Sequence, residues 1–562
     1  MLSQERVDNV KNSCAFPAEA IRAVLESRNL SIEAIDEVAI AGREVFPSRC
    51  YAYLLTSDSS IEHTPLVRFA RRLERTLPGQ AMPWLFATIR ASRRRALLAE
   101  GLRELETNLD ALGLGSTPRT HIEHHECHAR AAFHSLDRTN GQEPAVILTL
   151  DGSGDGLCST VTCFDPERGW ERVASTPANA SLGGIYSLTT RFLGMKILEH
   201  EYKVMGLAPY SRGYHLEAYR RVFEPVIYMD ARDPLRFSAA FDTSRFFDYL
   251  VRHATGVRFD HLAGALQYLL EERITTWVRA ATARAGTGRV FTGGGVFMNV
   301  KANKRIQELE EVEQAFFMPS CGDESNAIGA AYALAVARGI VVHPLGDLYL
   351  GLEYDNREID AFITAQGLRA RYRVVQFSEP EEQIATLLAR QQVVARFAGR
   401  GEWGARSLGN RSILANPAHL ESFYTVNDLI KARDFWMPFA PTILDSAAPR
   451  YLEGYDAKRV EAPYMTTAFH ATPLGVAHLR GAMHQGDHTV RPQVLAEDAN
   501  PSYYRLVKAF ERRTGIGAVL NTSLNLHGYP LATTPAQALM TFEKSGLRHL
   551  MLGSFLVSKD ET

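Results

Sequence analysis

Two groups of residues with chemically useful side chains lie close together in the first third of the chain. A His-His-Glu-Cys-His segment contains His124 and His128, and an Asp-Gly-Ser-Gly-Asp-Gly segment begins at Asp151. On a helix, a spacing of four places both imidazoles on one face, where they can hold one metal ion. Asp151 follows the apolar run 145–150, which predicts a buried strand, and the glycines after it let backbone N–H groups approach a phosphate. Each motif alone has a commoner explanation, two ordinary histidines or an ordinary turn, but together they indicate a metal-assisted nucleotide enzyme.

Three further segments of this region could bind a ligand. Residues 289–299 predict a strand, a triple-glycine turn and a helix start, where backbone N–H groups favour phosphate. Asp323 precedes a helix of small residues and is either a further metal ligand or a helix N-cap. Lys203 lies beside a glycine turn, where an exposed surface lysine is the simpler interpretation.

The second half of the chain contains four clusters of cationic residues with neighbouring glycines or amides. Guanidinium groups bind phosphate and carboxylate in fork geometry, so these clusters favour an anion site over a set of surface salt bridges. The candidate residues are Arg406, Lys431, Arg433, Arg491, Asn521 and Ser523.

Composition restricts the class of protein. The chain has 562 residues, and 62 Lys plus Arg nearly balance 64 Asp plus Glu, so no global basic field favours a nucleic-acid partner. The six cysteines form no Cys-x-x-Cys pair, and their scatter along the chain argues against a disulfide framework and suggests a reducing compartment. No apolar run reaches membrane-spanning length and the first residues do not resemble a signal peptide. We therefore expect a cytoplasmic protein with no membrane partner.

Helix and strand signals alternate along the chain and predict an α/β fold in two domains. Helices are predicted at 16–28 and 263–285, and strands at 37–41, 145–150, 158–164 and 289–292. The charged region 60–115 is predicted to be a helical insertion. Residues 343–352 look like a connection, after which helix and strand signals resume at 356–398. We predict domains at 1–345 and 346–562.

The order of the motifs resembles the first domain of the O-carbamoyltransferase family, which includes nodulation-type enzymes and antibiotic-tailoring enzymes such as the aminoglycoside 6″-O-carbamoyltransferase. The shared series is His-x-x-x-His, Asp-Gly-x-Gly, Lys-x-Met-Gly-Leu, Gly-Gly-Gly-x-x-x-Asn, and Asp with Gly-Ala-Ala. The resemblance implies an actin/hexokinase-like (ASKHA) fold. It also implies that Fe(II) or a similar divalent metal is held by His124, His128, Asp151 and Asp323. Nucleotide binding, as ATP with Mg²⁺, is then expected at Lys203, Gly293, Gly294, Gly295 and Asn299.

The second half resembles the same family through Gly-Arg-x-Glu-x-Gly-x-Arg-x-Leu-Gly-x-Arg-Ser, Lys-x-Arg, Pro-Phe-Ala-Pro and Asn-Thr-Ser-x-Asn. This implies an α/β domain like threonylcarbamoyl-AMP synthase, which makes carbamoyl-adenylate from carbamoyl phosphate and ATP. The first domain then transfers the carbamoyl group to a hydroxyl of a natural product or sugar. His128, Lys431 and Arg406 are the expected catalytic residues.

Two departures from the family pattern affect these expectations. Family members usually begin with a strand–turn–strand segment carrying His-Asp-x-Ser, whereas this chain starts near Gln4-Glu-Arg6. If that segment is missing, the helix at 16–28 and the strand at 37–41 should cover a sheet edge with unpaired backbone groups. The residue before Pro438 is commonly Arg in the family, and here it is Met437, so one donor contact is in doubt.

The sequence therefore predicts an ATP-dependent O-carbamoyltransferase, with a homodimer as an open alternative to a monomer. An actin-fold metabolite kinase would explain the first domain but leave the arginine-rich second domain unused. A degenerate, non-catalytic relative is the other alternative.

Overall fold

The computed structural model describes residues 1–50 and 83–559, and its first half is built on a five-stranded mixed sheet. The central strand Ala145–Gly154 is antiparallel to Leu157–Asp165 and parallel to Arg289–Gly293. Its residues 145–150 are all buried, as expected of a central strand covered on both faces. The order of strands across the sheet is Gly169–Pro177, Leu157–Asp165, Ala145–Gly154, Arg289–Gly293 and Gln314–Phe317.

The central strand continues past its predicted end at residue 150 and carries an irregularity there. Its pairing register with Leu157–Asp165 shifts between Leu150 and Gly154. Asp151 lies within this bulge, and a bulge turns the side chains of a strand away from the regular alternation. The bulge thus gives Asp151 a direction that a regular strand would not.

The helices of the first half agree closely with the predicted ones where the chain is described. The helix predicted at 16–28 is Ala18–Glu26, and the one predicted at 263–285 begins earlier, at Phe259. Of the predicted insertion at 60–115, residues 60–82 lie outside the described residues, and Pro83–Ala111 is one helix. The α-helices are Gln4–Asp8, Ala18–Glu26, Pro83–Ala111, His124–Leu136, Leu182–Phe192, Glu201–Leu207, His215–Ala218, Phe246–His253, Phe259–Ala285, Val300–Gln307 and Asn326–Ala337.

Two small sheets stand apart from the main sheet of the first half. Ile227–Met229 pairs antiparallel with Phe237–Ala239. The predicted strand at 37–41 is Val38–Ala41, and it pairs in parallel with Arg119–Ile122. Within the described residues, this strand belongs to its own two-stranded sheet and does not join the five-stranded one.

The second half contains an eight-stranded mixed sheet with helices around it. Across the sheet the strands are Arg373–Gln376, Phe555–Ser558, His549–Leu552, Val394–Phe397, Arg411–Ala415, Ala518–Ser523, Ala440–Leu444 and Gln493–Leu495. A small hairpin pairs Phe469–His470 with Thr489–Val490. The α-helices are Asn356–Ala365, Leu368–Arg371, Pro380–Ala389, Leu420–Val426, Ala448–Tyr451, Pro473–His478, Pro501–Thr514 and Pro535–Glu543.

The two halves are in close contact, and one apolar core contains buried residues of both. The helix Val300–Gln307 contributes much of the polar contact. Asn303, which is fully buried, donates to the carbonyl of Thr466 at 2.7 Å, and Gln307 donates to the carbonyl of Ala468 at 3.0 Å. Among the described helices, none is both long enough and apolar enough to cross a membrane.

Candidate active site: a metal-ligand cluster and an arginine cluster

The helix His124–Leu136 presents the two histidines, and two carboxylates fix where it begins. Glu123 is the N-cap, and its side chain accepts hydrogen bonds from the backbone N–H groups of His125 and Glu126. Asp155 accepts from the backbone N–H of His124 at 2.8 Å and from those of Arg43 and Glu44. Asp155 therefore ties the first turn of this helix to the loop after the strand Val38–Ala41.

The structure brings His124, His128, Asp151 and Asp323 together at one point. One donor atom from each residue lies within 4.8 Å of the others. The Nε2 atom of His124 is 3.1 Å from Nε2 of His128, 3.1 Å from an Asp151 oxygen and 3.5 Å from an Asp323 oxygen. His128 has no exposed surface, whereas the Asp323 side chain is 69% exposed, so the cluster is open on the side of Asp323.

The donor set of this cluster suits a divalent cation. Burial alone would lower the pKa of His128, but Asp151 and Asp323 raise it to about 9. Burial opposes ionisation of Asp151 too, yet the two histidines hold its pKa well below the ordinary value. The two carboxylates therefore favour a positive charge at the point where the ring nitrogens of the two histidines face each other. The separations of 3.1–3.6 Å suit neighbouring ligands with bonds of about 2.0–2.2 Å to one ion. Mixed nitrogen and oxygen ligands favour Fe(II), Mn or Zn over Mg.

The glycines around the cluster are explained by close approach of backbone and ligand side chains. A Cβ on Gly154 would overlap the ring of His124, and one on Gly293 would lie 2.7 Å from the carbonyl oxygen of His128. Gly294 has a φ of 100°, which disfavours other residues. Gly295 donates its N–H to Asp151 at 3.2 Å. The triple-glycine turn therefore borders the metal-ligand cluster directly.

Two residues predicted to bind nucleotide already make contacts within the protein. Lys203 forms an ion pair with Asp434 at 3.1 Å. Asn299 caps the helix Val300–Gln307 and exchanges hydrogen bonds with Gln267 at 2.8 and 3.1 Å. Their role in nucleotide binding stays a prediction, and each also has a structural role that the sequence did not reveal.

Three predicted cations of the second half form a cluster, which we call the arginine cluster: Arg406, Arg433 and Arg491. None of the three guanidinium groups makes a hydrogen bond or ion pair with another described residue. Burial, followed by the charges of Arg406 and Arg433, lowers the pKa of Arg491 well below its ordinary value. Like charges that are close together and unpaired are costly unless an anion joins them. The arginine cluster is therefore a candidate phosphate site.

Lys431 lies next to this cluster and is fully enclosed. Only 1% of it is exposed, and its ammonium donates to the carbonyl oxygens of Ser523 and Asn525 at 2.6 and 2.8 Å. It also contacts the Ser523 hydroxyl at 3.2 Å and the Asn525 side-chain oxygen at 2.5 Å. These acceptors carry only partial charges, so burial and the charge of Arg433 still lower the pKa of Lys431 well below its ordinary value. Lys431 and Ser523 thus form one unit.

Asn521 does not face this site but positions it. It is 1% exposed, and its side chain donates to the carbonyl of Ser407 at 3.2 Å and to the hydroxyl of Thr442 at 3.1 Å. Its oxygen accepts from the hydroxyl of Ser407 at 3.1 Å. Because Ser407 follows Arg406 directly, Asn521 fixes the backbone that carries this arginine.

Other charged residues of the same glycine-rich motif have structural roles. Arg411, with no exposed surface, donates to the carbonyls of Ala398 and Gly399. Glu402 is also fully buried, and one of its oxygens accepts from the backbone N–H groups of Leu408, Asn410 and Arg411. Met437, where a cation is usual, is buried with its sulfur close to Gly206.

The loop that carries Arg406 contacts the loop that carries Asp323. Ser320 accepts a hydrogen bond from the backbone N–H of Ala405 at 3.0 Å. Burial, followed by the charges of Glu324 and Asp151, raises the pKa of the Cys321 thiol well above its ordinary value, whereas Arg406 acts in the opposite direction. Both clusters are thus within electrostatic range of one thiol, so the two candidate sites lie near each other.

Sequence reasoning missed several residues that hold these sites. Asp155 and Glu123 organise the first turn of the histidine helix, and Ser320 and Asn525 hold the loops of the second site. Glu123 gives no standard signal either, because the usual N-cap residues are Ser, Thr, Asp, Asn and Gly. The partners of Asp155 and Ser320 are distant in sequence, and no local pattern identifies them.

Comparison with known proteins identifies the family. The model for the carbamoyltransferase N-terminus matches residues 1–332, and the model for the carbamoyltransferase C-terminus matches residues 385–559. Together these matches cover most of the chain. The protein is therefore an enzyme of the carbamoyltransferase family, as its motifs indicated.

Individual relatives are distant in sequence. Nodulation protein NolNO of Sinorhizobium fredii is 28% identical over 99% of this chain and 77% of its own length. A 3'-hydroxymethylcephem-O-carbamoyltransferase of Amycolatopsis lactamdurans is 27% identical over 54% of this chain and 55% of its own length. The solved structure of HypF from T. kodakarensis covers 42% of this chain and 39% of its own, with 14% identity and a TM-score of 0.25. This TM-score is too low to define the fold.

Proposed function

We propose that the protein is an ATP-dependent O-carbamoyltransferase that works through carbamoyl-adenylate. The observation that carries this proposal is the arginine cluster, three guanidinium groups that make no hydrogen bond or ion pair among the described residues, beside the enclosed Lys431. A carbamoyl donor and ATP supply the phosphate groups that such a cluster needs. The neighbouring metal-ligand cluster supplies a second, chemically different site for the transfer step.

The strand orders support the expected folds. We infer that the first domain, residues 1–345, has an actin/hexokinase-like fold, since its central strand lies between an antiparallel hairpin partner and two parallel strands. We infer that residues 346–562 form a domain like threonylcarbamoyl-AMP synthase. ATP with Mg²⁺ would bind at the glycine turn that includes Gly295, beside the metal-ligand cluster.

In the first reaction, carbamoyl phosphate, ATP and water give carbamoyl-adenylate, phosphate and pyrophosphate. Arg406, Arg433 and Arg491 bind the phosphate groups and offset the charge of the leaving groups. Lys431 holds the end of the strand Ala518–Ser523 through the carbonyl and hydroxyl oxygens of Ser523. This reaction needs cationic groups that are already in position. The three guanidinium groups make no hydrogen bond or ion pair in the described part of the chain, so their donors are available.

In the second reaction, an acceptor hydroxyl attacks the carbamoyl carbon, its proton is released to water, and AMP leaves with the bonding electron pair. His124, His128, Asp151 and Asp323 would hold a divalent cation, which supplies Lewis-acid polarisation of the carbamoyl or phosphate oxygen. Gly295 keeps Asp151 in place through its N–H, and Asp155 keeps the helix start in place. The N–H groups of the glycine turn can donate hydrogen bonds to the AMP phosphate as negative charge develops on it.

The decisive experiment separates the two reactions. Pyrophosphate release that requires carbamoyl phosphate should disappear in Lys431→Ala and persist in His128→Ala, while carbamoyl transfer should disappear in both. Arg369→Ala is a matched control, because Arg369 is half exposed and, within the described residues, pairs only with its own helical region. Loss of the transfer step alone in both variants would contradict the two-site scheme. ADP release in place of pyrophosphate would indicate a kinase, and neither product would indicate a non-catalytic relative.

The acceptor is proposed to be a hydroxyl of a natural product or sugar. One relative is named for a hydroxymethylcephem acceptor, which is a small molecule with a primary hydroxyl. A panel of cephems, aminoglycosides and sugars, assayed by mass spectrometry for the gain of one carbamoyl group, tests this class. Carbamoylation of an amine in preference to every hydroxyl would contradict it.

A further inference from the structure

Each segment that carries a member of the arginine cluster is anchored to the first half of the chain within a few residues of that arginine. The anchors differ in chemistry but not in placement. Beside Arg406, Ala405 donates to Ser320; beside Arg433, Asp434 pairs with Lys203; and shortly before Arg491, Asp487 pairs with Lys301. The geometry of the arginine cluster therefore depends on residues outside its own domain.

The third anchor is an enclosed ion pair. Only 12% of the Lys301 side chain and 27% of the Asp487 side chain are exposed. The other oxygen of Asp487 accepts from the backbone N–H of Thr489 at 3.1 Å and from its hydroxyl at 2.8 Å. His484 contacts Asp487 at 3.3 Å and reaches the carbonyl of Gly206 at 2.7 Å. Asp487 thus fixes the whole turn before Arg491.

Arg491 lies on a two-residue connection between fixed strands. On one side, Thr489–Val490 pairs with Phe469–His470. On the other side, Gln493 starts the edge strand of the eight-stranded sheet, and its side chain donates to the carbonyl of Leu408 at 3.1 Å. The sheet fixes the second end of the connection, and the Lys301–Asp487 pair fixes the first. Within the described residues, the guanidinium of Arg491 makes no hydrogen bond or ion pair that would fix it.

We propose that Lys301 and Asp487 are a positioning pair for Arg491, which acts in phosphate binding without touching the phosphate itself. Lys301 belongs to the helix Val300–Gln307, which starts just after the triple-glycine turn of the first half. The pair therefore makes the anion site of one half depend on an element that borders the metal-ligand cluster of the other. This proposal rests on the proposed function for the identity of the anion, but not for the geometry.

The competing explanation is that the two charges act on the anion directly through space. The direction in which each single substitution changes the anion affinity distinguishes this explanation from positioning. Asp487→Asn removes a negative charge near the arginine cluster, so electrostatics alone would tighten the binding of an anion. Lys301→Met removes a positive charge and would weaken it. Positioning predicts that both substitutions weaken binding alike, because either one breaks the same pair. We expect each to raise the Kd for pyrophosphate about tenfold, as for the loss of one charge-assisted contact.

The experiment measures pyrophosphate binding to the full chain by calorimetry, together with carbamoyl phosphate-dependent pyrophosphate release. Lys301→Met combined with Asp487→Asn should cost no more than either single change, because the pair is already broken. Lys301→Arg should stay within about twofold of the unmodified protein, since it keeps the charge. Arg138→Ala is the matched control: it breaks the exposed contact with Glu461 between the same two halves and should leave the Kd unchanged.

Opposite signs for the two single variants, additive losses in the double variant, or an equal loss in Arg138→Ala would each overturn the proposal. Because pyrophosphate binding is measured without turnover, the proposal can be judged even if carbamoyl phosphate-dependent pyrophosphate release is absent from the unmodified protein. That absence would count against the proposed function alone. A lower melting temperature with an unchanged Kd would show a merely structural pair and would also overturn the proposal.

Discussion

Asp155 offers a sharp test of how the histidine pair is positioned. Its carboxylate accepts from three backbone N–H groups, those of Arg43, Glu44 and His124, at 2.8–3.0 Å. Asp155→Ala removes all three acceptor contacts, and one of the freed N–H groups belongs to the first residue of the helix that carries both histidines. We take about 1 kcal/mol for each contact, because the loop side of Asp155 is partly exposed to water that can replace it. The expected loss in the free energy of unfolding is therefore about 2–3 kcal/mol.

The effect on metal binding should be larger than the effect on stability suggests. Residues that orient metal ligands from outside the ligand set typically change metal affinity by about 10- to 100-fold. We expect the Kd for Fe(II) or Mn, measured by competition with a chelator, to rise by that factor in Asp155→Ala. Asp165→Ala is a matched control, because Asp165 also caps a turn of the same sheet by accepting from two backbone N–H groups, those of Glu167 and Arg168. An equal loss of metal affinity in both variants, or an unchanged affinity in Asp155→Ala, would refute the positioning role.

Two further predictions concern packing and pH near the same helix. A Cβ on Gly329 would overlap the carbonyl oxygen of Cys127, so Gly329→Ala should force the two helices apart and lower the free energy of unfolding by about 1–3 kcal/mol or more, as measured by thermal unfolding. Gly346→Ala is the control, because a Cβ there meets no other atom, and it should cost little. Equal losses in the two variants would contradict this reasoning. Burial and the neighbouring Arg130 lower the pKa of His134 to about 4, below its unfolded value near 6.5. Between these two pH values the unfolded chain binds more protons than the folded one, so the free energy of unfolding should fall as the pH drops from about 6.5 towards 4. Denaturant unfolding at pH 7 and 5 should show a smaller drop in His134→Phe than in the unmodified protein, and an equal drop would rule out this residue as a cause.

The main helices and strands could be predicted because their sequence signals are local. The candidate site residues could be predicted because the family motifs follow one another in a recognisable order along the chain. The apolar run 145–150 marks a central strand, and the spacing of His124 and His128 places both on one helix face. The convergence of Asp323 with these histidines came from the order of family motifs, since no local pattern joins residues so far apart in the chain. The bulge that directs Asp151 was not predictable, because a register shift depends on the partner strand.

The roles of individual cations could not be read from the sequence either. Arg406 and Arg411 belong to one motif, yet their surroundings differ. Arg411 donates its hydrogen bonds to backbone carbonyls, whereas Arg406 has no hydrogen-bond or ion-pair partner among the described residues. Arginine has five donors, and only the surrounding backbone decides whether they are used internally. Lys203 illustrates the same point, because its partner Asp434 belongs to the other half of the chain.

The arginine cluster and its anchors together explain why the two halves are so tightly joined. Three neighbouring guanidinium groups repel one another, and burial adds to that cost, as the lowered pKa of Arg491 indicates. An arrangement that is unfavourable without its ligand persists only where the surrounding structure over-determines it. Here the loops that carry the arginines are held by contacts to the first half as well as by their own sheet. Among the described residues these guanidinium groups lack hydrogen-bond and ion-pair partners, which costs stability but leaves their donors available for the phosphate that we propose they bind.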